Sequence, residues 1–263
     1  MTLIKIGYDA GHGINTPGKR TPDDEREWTF NNVVAKAFAN ELSHYSGVAS
    51  KRFDDPTGQR DVPLDVRTDG ANSWGADFYI SFHHNANTAE WGNWGGVETY
   101  VYLGNMNKKS GELAKAIHPS VVKAYGLTDR GIKEKDLHIV RETVMPAILI
   151  EGGFMDSRID IVKLRDNNVL ENAGKLIAQA LANYLGLRRN GDDEMDFYSP
   201  TMREKFEMRT ASPSTKKLLV EKAVAELGYQ PVWIENHNKG ILKPGDYTAI
   251  AYELAVHYAK AVK

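Results

Sequence analysis

The sequence predicts an α/β fold: a twisted, mostly parallel sheet flanked by helices on both faces, plus a small C-terminal domain with two helices. Three observations carry that prediction. Short β-branched and aromatic runs alternate with amphipathic stretches over about 185 residues, the pattern of a sheet covered on both sides. Three of the apolar runs end on a residue suited to metal binding or proton transfer, where open sheets of this class place their chemistry. After Leu185 the composition then breaks, because GLRRNGDDEM (Gly186 to Met195) is polar and aperiodic.

Taken in order, Leu3 to Tyr8 reads as a first buried strand with DAGHG as its exit loop. Arg26 to Tyr45 is a helix, with Phe30, Val33, Val34, Ala37, Phe38, Leu42 and Tyr45 on one stripe and Gly47 as its stop. Val48 to Phe53 is a second strand, and a helical segment runs around Leu64 to Ser73. Asp77 to Phe82 is the central strand, short and rich in aromatic and β-branched residues, and it runs into His83-His84-Asn85. The loop NTAEWGNWGG leads to a strand at Val97 to Leu103 and a helix at Ser110 to Tyr125. Leu137 to Val140 reads as a weak strand, and Pro146 to Ile150 as a strong one that ends on Glu151-Gly152-Gly153. Val169 to Leu185 closes this part as an amphipathic helix. The expected division is a catalytic domain at 1–187, a linker at 188–195 and a small domain at 196–263. In the last of these, Ser212 and Pro213 open a helix that ends at Gly228. YQPVWIE reads as strand-like, and Asp246 caps a final helix bearing Ile250, Leu254, His257 and Tyr258.

The totals exclude several classes. The chain has 263 residues and no cysteine, which removes disulfides, thiolate metal sites and a cysteine nucleophile. A formal charge of −2 gives no bulk attraction to nucleic acid. No apolar run approaches the roughly 20 residues of a membrane span, and MTLIKIGYDAGHG lacks the pattern of a signal peptide. The expected location is therefore the cytoplasm where the chain is made, with action elsewhere dependent on separate release.

Four residues stand at comparable places: His12 after the first strand, Glu27 at the start of the first helix, His83 after the central strand and Glu151 after a late one. Two imidazoles and a carboxylate form the three-ligand set of a catalytic zinc, and a second carboxylate outside that set serves as proton shuttle. Read singly, each has a plainer reading: a polar loop histidine, a glutamate favoured by the helix dipole, a buried ion-pair partner.

The segments DAGHG, NTPGKRTPDDEREWTFN, ADFYISFHHNAN, GGVETYVY, DRGIK and PAILIEGGF, in this order and spacing, resemble the zinc-dependent N-acetylmuramoyl-L-alanine amidases of the phage endolysin and bacterial autolysin type. The resemblance covers Leu3 to Leu185, and GKRTP…REW is similar to endolysins of phages that infect Gram-positive bacteria. It implies one Zn²⁺ held by His12, Glu27 and His83, with Glu151 catalytic. His84 is a rival to His83, since neighbours on a strand face opposite ways and only one can face the metal; the motif selects His83. Glu25 is set aside for Glu27 on the REW match, and Arg67 and Asn72 match positions read as structural. Thr16, Lys19, Arg20, Asn85 and Arg130 are candidate substrate contacts, with Lys133 near the cleft and Trp91 and Trp94 on its rim. The implied substrate is peptidoglycan, the implied role an endolysin released by a holin, and the C-terminal domain a binder of a wall polymer or sugar. A host autolysin, an inactive wall-binding module, and an oligomerising tail are the competing readings.

Overall fold

The computed structural model describes residues 3–190, 213–228, 230–242, 246, 247, 250, 251, 253 and 254. The chain divides into two compact units, Met1–Asp192 and Asp193–Lys263.

The first unit is built on six strands: β1 (Ile4–Ala10), β2 (Val48–Arg52), β3 (Phe78–Asn85), β4 (Val97–Val101), β5 (Asp129–Glu134) and β6 (Ala147–Phe154). Their order across the sheet is β2-β1-β3-β6-β4-β5. Every neighbouring pair is parallel except β4 with β6. The reversal matters for the site. It brings the N-terminal ends of β4 and β5 to the same edge as the C-terminal ends of β1, β3 and β6.

Alternation along the strands sends side chains to both faces. Ile80, Phe82, Ile148 and Ile150 enter the larger core, beneath α1 (Glu27–Leu42), α3 (Lys109–Tyr125) and α6 (Asn167–Leu185). Tyr79, Tyr100, Ala147 and Leu149 enter the smaller one, with α2 (Leu64–Trp74) and α4 (His138–Glu142). In α1 the stripe Phe30, Val34, Phe38 and Leu42 is buried, each such side chain stabilising the fold by about 1.5–3 kcal/mol. A single-turn α5 (Ile161–Leu164) precedes α6, whose N-cap Asp166 accepts from the Asn168 amide at 2.9 Å.

Two elements of the first unit differ from the sequence reading. Leu137 to Val140 is not a strand; Ile139 and Val140 are buried on one side of helix α4, which packs against α2. The edge strand is instead β5, whose DRGIKE sequence is too charged to read as one and has no fully buried residue. The predicted linker is tied down at its start: Ser46 N donates to Arg188 O at 2.9 Å and Asn190 N to His44 O at 2.6 Å.

In the second unit α7 (Pro213–Glu226) begins on the predicted proline, and α8 (Val232–Asn238) replaces the strand-like reading of YQPVWIE. Pro231 at the N-cap of α8 is the reason, since proline favours helix starts over strands. Val220 and Ala223 of α7 pack with Tyr247, Ile250 and Leu254. Residues 196–211, and His257 and Tyr258 of the expected last helix, lie outside the described residues.

Candidate active site

The exit of β1 carries Gly11 and His12, and His12 adopts a left-handed backbone with φ +67°. A buried arginine holds this unusual turn. Arg67 of α2 is 1% exposed, and its five N–H groups find five acceptors. These are the Val62 carbonyl at 2.9 Å, Asp9 Oδ2 at 2.9 Å, the Ala10 carbonyl at 3.0 Å, and the His12 carbonyl and Asp61 Oδ1 at 3.1 Å. The structural reading of Arg67 thus takes a specific form: it fixes the loop that presents His12.

Glu27 opens α1 and is buried, with Oε2 3.3 Å from His12 Nε2 and Oε1 3.0 Å from His83 Nδ1. One ligand atom from each of His12, Glu27 and His83 lies within 4.8 Å of the others. Among the described residues this is the one group so arranged. Two imidazole nitrogens and a carboxylate oxygen are a donor set suited to a divalent borderline metal. Gly11 leaves the room: a Cβ there would fall 2.1 Å from His83 Cε1. The residues present therefore fit a metal ion.

His84 points the other way. It is buried, with Nδ1 2.7 Å from Asn31 Oδ1 and Nε2 3.1 Å from the Tyr125 hydroxyl. Burial pushes its pKa down to about 3, so it stays neutral. Asn31, one turn after Glu27, donates Nδ2 to Glu27 Oε1 at 3.3 Å and to the Gly11 carbonyl at 3.1 Å. Asn31, His84 and Tyr125 thus brace the metal group from behind. Gly152 completes that packing, because a Cβ there would lie 2.3 Å from the Tyr125 oxygen and 2.7 Å from His84 Nε2.

Burial opposes charge on both Glu27 and His83, but their mutual hydrogen bond and attraction keep the Glu27 carboxyl below its ordinary range and the His83 ring above its own. His12 is pulled down to about 4, chiefly by burial, and so offers a neutral ring. Glu151 of β6 is the cross-strand neighbour of His83. Its Oε2 is buried without a hydrogen-bond partner, and burial lifts its pKa well above the usual carboxylate range despite the attraction of His83. Glu27, His83 and Glu151 line one cavity of about 110 Å³ with Gly18, Lys19, His84, Asn85, Ala86 and Met155.

The other candidates separate. Lys19 and Asn85 face that cavity. Thr16 instead donates its hydroxyl to Asp61 at 2.7 Å and accepts the Gly13 amide, which makes it part of the loop framework. Arg20 pairs with Asp24 at the surface, and Glu25 with Arg165. Arg130 and Lys133 both bind Glu98. The tryptophan loop is not free: the Asp156 carboxylate accepts the amides of Asn87, Thr88 and Ala89 at 2.7–3.0 Å and the Trp94 indole at 2.8 Å, while Trp91 donates to Asp23. Sequence reasoning missed Asn31, Tyr125 and Glu98. Only Asn31 had a readable signal, its i+4 spacing from Glu27 on one helix face.

Fold and site together define an α/β protein with a His12–Glu27–His83 group able to hold a metal ion at a strand-end cleft. A family model described as N-acetylmuramoyl-L-alanine amidase matches residues 6–183, and the chain belongs to that family. It is 33% identical over 188 residues to the sporulation-specific N-acetylmuramoyl-L-alanine amidase of Bacillus subtilis (strain 168), covering 71% of this chain and 70% of the relative. An endolysin of Bacillus phage SPP1 is 29% identical over 222 residues, covering 82% of this chain and 76% of the endolysin. The solved N-acetylmuramoyl-L-alanine amidase from Clostridium difficile 630 is similar at TM-score 0.65 and 30% identity, covering 71% of this chain and 98% of that one.

Proposed function

We propose that this chain is a zinc-dependent peptidoglycan amidase. It hydrolyses the amide between the lactyl group of N-acetylmuramic acid and the first L-alanine of the stem peptide. The observation that carries the reading is Glu151: a buried carboxylate with an unsatisfied oxygen, in the same small cavity as Glu27 and His83. His12, Glu27 and His83 would hold the ion. Bound there, zinc supplies Lewis acidity that polarises the amide carbonyl and lowers the pKa of water from 15.7 to roughly 7.

The remaining work belongs to the protein. Glu151 Oε2 accepts a proton from the attacking water and passes it to the departing alanine nitrogen, which leaves as a neutral amine. A carboxyl whose pKa is raised by burial is suited to holding that proton between the two transfers. Asn31 and the His84 amide, both bonded to Glu27 Oε1, keep that carboxylate from rotating. Lys19 adds positive charge to the cavity wall.

The GKRTP…REW segment and the match to a phage endolysin over 82% of this chain support an endolysin role, for which release through a holin is the proposed route, while the 33% identity to the sporulation amidase supports a host autolysin of the same chemistry. In this reading the unit 193–263 binds a wall polymer or sugar, raising the effective substrate concentration for the catalytic unit. The test is digestion of purified walls with and without chelator. New alanine amino termini without new reducing sugar, abolished by chelation and restored by zinc, are expected. Reducing ends without amino termini, or full activity of metal-free enzyme, would refute it. A labelled tail that binds no wall would refute the targeting role.

A further inference from the structure

We propose that Arg130 and Lys133, organised by Glu98, form a subsite for a carboxylate on the peptide side of the scissile bond. The inference rests on the amidase reading and adds to it a preference for acidic stem peptides.

Glu98 is 2% exposed and stands directly across from Glu151 in the antiparallel β4–β6 pair, so both side chains share one face of the sheet. Its Oε1 accepts Arg130 Nε at 2.6 Å and Lys133 Nζ at 2.5 Å. Its Oε2 accepts the Tyr100 hydroxyl and, at 3.4 Å, Asn85 Nδ2. Asn85 itself lines the cavity, so the cluster begins one hydrogen bond from the reacting centre. Two cations on one carboxylate leave a net positive charge.

That charge faces outward. Glu98 is buried, whereas the Arg130 and Lys133 side chains are 37% and 39% exposed. The guanidinium carbon also lies 5.0 Å over the centre of the Phe154 ring, with one amino group 3.4 Å from the Gly95 carbonyl. Its remaining amino group, and two of the three ammonium protons of Lys133, have no partner among the described residues. A planar fork with free donors beside an ammonium suits a carboxylate better than a neutral amide. Glu98 touches no reacting atom in this scheme; it is a positioning residue. A cluster that served only to neutralise Glu98 would show no preference among ligands.

The probes are two muramoyl peptides, identical except that the peptide carboxylates are free in one and amidated in the other. The zinc-loaded enzyme is expected to favour the free form roughly tenfold in kcat/KM, chiefly through KM. Arg130→Gln with Lys133→Gln brings that ratio close to one, and lowers the thermal midpoint because buried Glu98 then lacks both its cations. Glu98→Gln also lowers the ratio, and Arg130→Gln alone covers the case in which that buried change unfolds the protein. Equal KM for both peptides, or an unchanged ratio in the double variant, overturns the subsite. Binding to zinc-loaded Glu151→Gln enzyme separates the two claims. Selective binding of the free form supports the subsite even if the bond cut proves to be a different one; equal binding overturns it.

Discussion

Replacing Gly11 by alanine tests how the metal group is built. The added Cβ would sit 2.1 Å from His83 Cε1 and 2.3 Å from its Nε2, where ordinary contact begins at 3.4 Å. Something must therefore move by about 1.3 Å, the difference 3.4 − 2.1. Neither partner has slack. His83 is bonded to Glu27, and the loop is gripped by Arg67 through the Ala10 and His12 carbonyls and by Asn31 through the Gly11 carbonyl. Overpacking of this kind costs about 1–3 kcal/mol of stability. A misplacement of about 1 Å at a reacting centre lowers rates on the order of a hundredfold, and a disturbed ligand shell weakens metal binding by about 10–100-fold. Gly11→Ala is thus expected to fold, to lose zinc to a chromophoric chelator at lower chelator concentration, and to show kcat/KM reduced about a hundredfold on a muramoyl peptide. Wild-type zinc affinity together with activity within threefold would refute the packing argument.

Three further outcomes follow from the same contacts. Glu151→Gln keeps the shape but removes proton transfer, so turnover falls by about 10²–10⁴ while metal content measured by elemental analysis stays at one ion. His83→Ala loses the ion, whereas His84→Ala retains it but loses about 2–3 kcal/mol of stability from its two buried hydrogen bonds, read by denaturant titration; the reverse pattern would exchange their roles. Burial opposes ionisation of Glu98, but the Lys133, Tyr100 and Arg130 bonds prevail and lower its pKa from 4.5 to about 2. A depressed carboxyl adds stability above its unfolded pKa and loses it as pH falls through the folded one. Glu98→Gln should accordingly flatten the loss of stability between about pH 4.5 and 2, and an unchanged acid limb would argue against the ion cluster.

The fold was legible where the period of the apolar residues was unambiguous. PAILI and Phe30-Val34-Phe38-Leu42 each admit one reading, and the helices and strands they imply are present. Four apolar residues at 137–140 do not separate strand from helix, and tertiary packing against α2 decides for helix. DRGIKE forms an edge strand because its charges have work outside the core, two of them on Glu98, and alternation rules have no purchase there. At the site, His12, Glu27, His83 and Glu151 announce themselves by standing at element ends. The residues that brace them do not. Asn31 reaches Gly11 across 20 positions of sequence, Tyr125 reaches His84 across 41 and Arg67 reaches Ala10 across 57, through contacts that exist only once the sheet has formed.

The reversed strand β4 has a consequence for how the scaffold tolerates change. Because β4 runs against β6, the chain leaves β3 and enters β4 at one and the same rim, and residues 86–96 never traverse the sheet. Lengthening such a segment adds only about 0.6 kcal/mol of closure entropy per doubling and disturbs no strand register. The Asp156 carboxylate fixes the first few residues after β3, and the Gly96 amide bonded to Asp160 at 2.7 Å fixes the return. Between those two anchors Gly92 and Trp94 are held by Asp156 as well, so added length is accommodated only in the short stretches that separate these ties.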